Sequence, residues 1–275
     1  MTADYFDWPG EHYSTLKHIL ASPLAYRRAC DVPLADRDTF RLGRAAHTAV
    51  LEPHRFDVDF VTWTKRTKAG NMSPRSGGEW EDFCAEHAGK TILTPVQVER
   101  ARAMAAAVHA HPVAAPVLCD PTARVELGMR WVQDGIACKG RLDLVTATRL
   151  VELKTCADPR PQRFSATAVN FRYLMQLSMY GAGLLATEGI EREPMIIAVQ
   201  NVEPFDVVCF SLPPDTRQHG DDELKEALDL RRACSALDQW PGQAEEREVE
   251  LRLPIWAIDE EDRDWSVTVT EERHA

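Results

Sequence analysis

The chain has 275 residues, 44% of them hydrophobic and 27% charged, which is enough for one large domain or two small ones with a real core. No apolar run approaches the length of a bilayer span, and the opening Met1-Thr-Ala-Asp-Tyr-Phe-Asp-Trp lacks the basic and apolar regions of a signal peptide; this excludes a membrane helix and points to the cytoplasm. The net charge of −11 argues against a nucleic-acid partner only until it is located: residues from Glu203 onward carry 20 acidic and 8 basic side chains, while residues 1–202 carry 23 and 24.

Seven cysteines are scattered without a Cys-x-x-Cys pair, which argues against a disulfide framework or a zinc site. In chain order, Ser14 reads as the N-cap of a helix through Leu16, Ile19 and Leu20. Ser22-Pro23 starts a second short helix, Leu24 to Ala29, whose Arg27 and Arg28 form either a solvated face or a phosphate contact. Thr39 is the expected cap of a helix from Phe40 to Leu51 with Leu42, Ala45, Ala46, Ala49 and Val50 on its apolar side. Gly43 and His47 share one face of that helix, and taken alone His47 reads as a core histidine.

Residues 64–78 hold four basic residues and no acid among Gly, Ser, Pro and Asn, the composition of a mobile basic loop. Thr94-Pro95 opens a helix to about His109. His109, His111 and Cys119 follow, at a spacing that fits no standard zinc site. Arg124 to Val132, a turn at Gln133-Asp-Gly, and Ile136 to Cys138 read as a hairpin; Glu126 lies in its first strand, either as a carboxylate for a site or facing solvent.

The stretch Gly140 to Thr155 is two short apolar strands joined by a polar turn at Thr146 to Arg149, interrupted by Asp143, Glu152 and Lys154. Glu152 and Lys154 are two apart and share a face; in a hairpin Asp143 lies opposite them. Buried charges need partners or a metal. Two carboxylates suit Mg2+, and the lysine suits a water or a phosphate; an ordinary ion pair fits the same triplet equally well.

A helix from about Asn170 to Ala186 carries Tyr173, Gln176, Leu177, Tyr180 and Leu184 as one stripe, with Gln176 and Tyr180 as its polar members. Met195 to Gln200 and Val207 to Leu212 read as a buried hairpin, followed by a helix over Asp222 to Leu237. Residues 257–275 have the acidic composition of a disordered tail. The expected division is one main unit over 1–212, with 213–275 as a helical and acidic appendage of the same domain.

The segments Leu42-Gly-Arg-Ala-Ala-His47, Lys139-Gly-Arg-Leu-Asp143, Val151-Glu-Leu-Lys-Thr155 and Gln176-Leu-Ser-Met-Tyr180, in this order, resemble the PD-(D/E)XK nuclease superfamily in its RecB-like branch. The opening Ser14-Thr-Leu-Lys17 with Ser22-Pro-Leu-Ala-Tyr26 is similar to the start of the nuclease domain of exodeoxyribonuclease VIII (RecE) and its phage relatives. The resemblance implies an α/β fold: a restriction-endonuclease-like core with a central mixed β-sheet flanked by helices. It implies a Mg2+ site, with Mn2+ able to substitute, held by His47, Asp143, Glu152 and the carbonyl of Leu153. Lys154 would handle the water, Gln176 and Tyr180 would support it, and Glu126, at a family acidic position, would stand with these catalytic residues.

The implied activity is a deoxyribonuclease digesting duplex DNA ends from the 5′ side, supplying single strands to an annealing protein, as a homo-oligomer. Alternatives are an endonuclease or single-strand nuclease of the same fold, a non-catalytic binding module, and a structural ion pair in an unrelated enzyme. No late cysteine triplet for an iron–sulfur cluster and no helicase motif is present.

Overall fold

The apolar runs from Arg124 onward build a five-stranded mixed sheet whose strands lie side by side in chain order. The computed structural model describes residues 4–32, 36–244 and 248–252. The elements before the sheet are α1 (Asp4–Asp7), α2 (Tyr13–Leu16) running into a 3-10 turn at Lys17–Leu20, α3 (Pro23–Asp31), α4 (Asp38–Leu51), α5 (Phe56–Asp59), β1 (Phe60–Thr62), α6 (Gly78–Glu86), β2 (Thr91–Leu93), α7 (Pro95–Ala110) and α8 (Ala114–Leu118). The sheet and its crossovers follow: β3 (Arg124–Gln133), β4 (Ile136–Val145), β5 (Arg149–Cys156), α9 (Pro161–Asn170), α10 (Tyr173–Glu188), β6 (Glu193–Gln200), β7 (Val207–Ser211) and α11 (Pro214–Leu237). Among the described residues, no helix is long and apolar enough to cross a membrane.

The β3–β4 hairpin turns at Asp134 and Gly135, both at positive φ, as the Asp-Gly pair predicts. The expected separate strands at 136–138 and 142–145 are one continuous β4. β5 pairs parallel with β6, and the connection between them carries α9 and α10 across one face. The β6–β7 pair is the expected antiparallel hairpin.

Two apolar cores sandwich the sheet. Leu142, Val145, Leu150 and Ile196 face α10, α11 and α2; Leu144, Val151, Leu153 and Ile197 face α4 and α7. The Thr94 cap holds as read: its hydroxyl accepts from Gln97 N–H, and the Gln97 side chain accepts from Thr94 N–H in return. Ser22 caps α3 through Ala25 N–H.

Several expectations are corrected. Ser14 is not a cap: its hydroxyl meets His12 Nδ1 at 2.8 Å, and His12 occupies the N-cap position. Thr39 lies inside the first turn of α4, whose N-cap is Arg37. The helix expected from Asn170 is α10, which starts at Tyr173 after Arg172 in a left-handed conformation; α9 before it was not expected. α11 starts at Pro214 rather than Asp222. Gly220, which looks like a breaker, permits contact instead: a Cβ there would lie 2.6 Å from the Leu174 carbonyl oxygen on α10. β1 and β2 pair in a small parallel sheet that was not expected. The basic 64–78 loop folds back, with Trp63 Nε1 donating to Ser73 O, Lys65 paired with Glu79, and Arg75 paired with Asp38. The acidic tail 257–275 lies outside the described residues.

Gly140 places the sheet against α10. A Cβ there would stand 2.9 Å from Cε1 of the buried Tyr180 ring. Gly140→Ala therefore overpacks the core, at a cost of about 1–3 kcal/mol. We expect a thermal midpoint several degrees lower in a calorimetric scan; an unchanged midpoint would mean the ring has room to move.

Candidate active site

The site forms where β4 and β5 stop pairing. Their ladder joins Leu144 to Val151 and Val145 to Leu150, then ends. One step further, the Asp143 carboxylate replaces a backbone acceptor: its Oδ2 takes the Leu153 N–H at 2.8 Å. Farther along the same edge of β4, Glu11 takes the place of β5, donating its N–H to Ala137 O and accepting from Lys139 N–H, each at 2.8 Å. The edge between these two attachments opens onto the gap where the acids converge.

Glu126, Asp143 and Glu152 occupy one row across three strands. The β3–β4 register pairs Val125 with Leu144 and Leu127 with Leu142 but omits Glu126 and Asp143. Glu126 sits there at φ 50°, unusual for a residue with a side chain. Strand alternation slips at the same row: Leu142 and Leu144 are two apart, yet they face opposite cores. The distortion brings Asp143 out of the regular pleat and into the gap.

On the α4 side, donor atoms of His47, Glu126 and Asp143 all lie within 4.8 Å of one another. His47 Nδ1 is 3.6 Å from Asp143 Oδ2, and Glu126 Oε2 is ion-paired with Arg141 Nε at 2.7 Å. On the α10 side, Glu152 Oε1 accepts from Lys154 Nζ at 2.7 Å and from Gln176 Nε2 at 2.6 Å. Gln176 Oε1 accepts from the same ammonium at 2.8 Å, and its Nε2 lies 3.3 Å from the Tyr180 hydroxyl. The other Glu152 oxygen, Oε2, is buried with no hydrogen-bond partner.

The electrostatics follow from burial against this charge set. Burial pushes Glu152 up, the Asp143 charge pushes it further, and Lys154 only partly offsets them, leaving its pKa at about 7. For Asp143 burial also acts upward, but His47, Lys154 and the Leu153 N–H outweigh it and hold the carboxyl below the ordinary range. Burial disfavours charge on Lys154 and His47; the carboxylates, Glu152 first for Lys154 and Asp143 first for His47, reverse this and raise both. Burial raises Glu126, with Arg141 opposing.

Raised groups bind more protons folded than unfolded, so each costs stability as pH rises through its window. For Glu152 that window runs from 4.5 to about 7, and His47 adds to it above 6.5. We expect the metal-free protein to melt at lower temperature at pH 8 than at pH 5.5, with a shallower decline in Glu152→Gln. Parallel slopes in the two proteins would count against this placement of Glu152.

Each expected site residue lies in or beside this gap, in a grouping that differs from the expected one. Glu126, expected among the catalytic residues, stands with His47 and Asp143. Glu152, expected as a ligand, turns one oxygen to Lys154 and Gln176 and leaves only Oε2 free. Leu153 holds Asp143 through its N–H. The ion pair of the simpler reading is present within the same cluster. Sequence reasoning missed Arg141, which lies inside a quoted motif, and the role of Tyr173, whose ring centroid is 4.4 Å from Lys154 Nζ. It gave no role to Lys17, a half-buried ammonium whose charge is disfavoured by burial and by Lys154. The signal for Arg141 was its place two residues before Asp143 on the same strand.

The residues present fit a divalent cation: hard oxygen donors, an imidazole, and a buried carboxylate oxygen with no other partner. A mixed sheet that presents acids and a lysine from adjacent central strands defines a PD-(D/E)XK-type protein. The chain belongs to the family described as PDDEXK-like domain of unknown function (DUF3799), whose profile matches residues 13–251. A proposed exonuclease from Eubacterium rectale shares the fold, with a TM-score of 0.63 and 10% identity over 93% of this chain and 96% of that one. A phage-related exonuclease from Haemophilus somnus 129PT aligns over 84% of this chain and 97% of its own, at 12% identity and a TM-score of 0.34. An alkaline exonuclease from Laribacter hongkongensis aligns over 71% and 96%, at 16% identity and a TM-score of 0.27. A search of curated proteins finds no match.

Proposed function

We propose that the chain is a Mg2+-dependent deoxyribonuclease that hydrolyses phosphodiester bonds from the ends of duplex DNA. One observation carries the reading: a three-donor group of His47, Glu126 and Asp143 lies across the strand gap from a buried Glu152–Lys154–Gln176 network. The first three residues, with Oε2 of Glu152, are the set that would hold the cation. Once bound, such a cation polarises a phosphoryl oxygen and lowers the pKa of a water. Lys154 offers a fixed ammonium to that water or to charge building on the phosphate. Gln176 holds Lys154 and Glu152 at once, and Tyr180 orients Gln176. His47 and Lys154 keep Asp143 ionised, ready to bind a cation without first losing a proton.

The preference for ends, the 5′ to 3′ direction, the homo-oligomer and supply of single strands to an annealing protein rest on the likeness of Ser14–Tyr26 to the exodeoxyribonuclease VIII group. End-labelled linear duplex and closed circular duplex, each with Mg2+ or EDTA, test the reading. The expected result is digestion of the linear form alone, with 5′ label released early as small products, and none in EDTA. Nicking or linearisation of the circle would replace the exonuclease reading with an endonuclease one.

A further inference from the structure

The face of β3 and β4 next to the metal-ligand row carries an aromatic patch that the proposed chemistry does not use. Lys139, 8% exposed, points its ammonium at the end of α1 and donates to the carbonyls of Tyr5, Phe6 and Trp8 at 3.4, 3.3 and 2.7 Å. Gly128 makes room: a Cβ there would be 3.3 Å from the Trp8 ring and 3.6 Å from Tyr5. This anchoring leaves Phe6 61% exposed. Its ring lies 5.4 Å from the guanidinium carbon of Arg141, the same side chain that is ion-paired with Glu126. The patch is thus one residue removed from the proposed ligands.

Its charge has a direction too. Arg130 stands directly across the ladder from Lys139, and like charges opposite one another are unfavourable. Arg130 is exposed, stacks on Trp8 at 4.7 Å, and has no carboxylate partner among the described residues. Lys139 is buried and spends its ammonium on the three carbonyls, so Arg130 is the cation the patch presents to solvent. From Glu126 to Arg130 along β3 is about 13 Å at strand rise. An aromatic surface with an exposed guanidinium, running away from a phosphodiester-cutting site, matches a polynucleotide strand with unpaired bases, since bases stack on aromatic rings while the cation meets a phosphate.

We infer that Phe6 and Trp8, with Arg130, form a stacking platform for unpaired bases of the strand that enters the site. The inference rests on the nuclease reading and deepens it. The test is binding, with Ca2+ in place of Mg2+ to suppress cleavage, of a single-stranded oligothymidine and of an abasic strand of equal length. The wild type should prefer the oligothymidine, and Phe6→Ala should lose about tenfold in affinity for it while binding the abasic strand as before. Phe6→Tyr should retain the preference, and Arg130→Gln should weaken both strands alike and flatten the salt dependence. Equal binding of base-bearing and abasic strands by the wild type, or an unaltered Phe6→Ala, would overturn the platform. Failure of the wild type to bind either strand, or a duplex, would overturn the nuclease reading as well.

Discussion

Lys154→Ala should reduce cleavage by at least about a thousandfold, the upper range for removing one preorganised charge from a reaction centre. The ammonium is held by Glu152 and Gln176 from two directions and lies 4.4 Å from the Tyr173 ring, a fixed position that alanine cannot supply. Breaking a buried pair costs about 3–5 kcal/mol when the remaining charge stays ionised. Glu152 has an escape: its pKa stands at about 7 with the lysine present, and loss of Lys154 drives it higher. The carboxyl therefore takes a proton and keeps its bond from Gln176. We expect a folded but inactive variant, measured as single-turnover decay of labelled duplex beside a far-ultraviolet dichroism spectrum. Unchanged turnover in a folded protein would remove Lys154 from the chemistry.

Asp143→Asn separates charge from shape. The amide keeps an oxygen for the Leu153 N–H, so the broken edge of β4 stays tied to β5. The anion is lost from the centre of the donor group. Residues that merely orient ligands cost 10–100-fold in affinity, so a direct ligand should cost more than about 100-fold. Two further signatures follow from the charge map. Asp143 is the main influence raising His47 against burial and a leading cause of the rise at Glu152. In the asparagine variant both groups should titrate at lower pH. Metal titration by calorimetry and the His47 ring shifts by NMR measure these effects. Wild-type affinity together with an unmoved His47 would place the cation elsewhere.

Much of this arrangement is legible in residue order. Apolar runs cut by Asp143, Glu152 and Lys154 announce charges in a buried sheet, and their period-two spacing puts Glu152 and Lys154 on the α10 side. The Asp134-Gly135 turn and the Thr94-Gln97 cap follow from local chemistry and appear as read. The slip at the Glu126–Asp143 row does not show in the sequence, because regular alternation cannot predict a left-handed glutamate or a ladder that ends one residue early. That distortion decides which acids meet. It gathers Glu126 with His47 and Asp143, and leaves Glu152 one oxygen on Lys154 and Gln176 and one without a partner. The same limit hides α1, whose place depends on Lys139 reaching its carbonyls across more than 130 residues. It also hides the first half of α11, where Gly220 acts as a contact rather than a break.

Anomalous diffraction from crystals soaked in Mn2+ gives the most direct view of the proposed centre. The expected map has a peak within coordination distance of His47, Glu126 and Asp143, on the side reached by Oε2 of Glu152, and that peak is lost in Asp143→Asn. Manganese bound only at sites remote from the β4–β5 gap, or the same peak in the asparagine variant, would contradict the account.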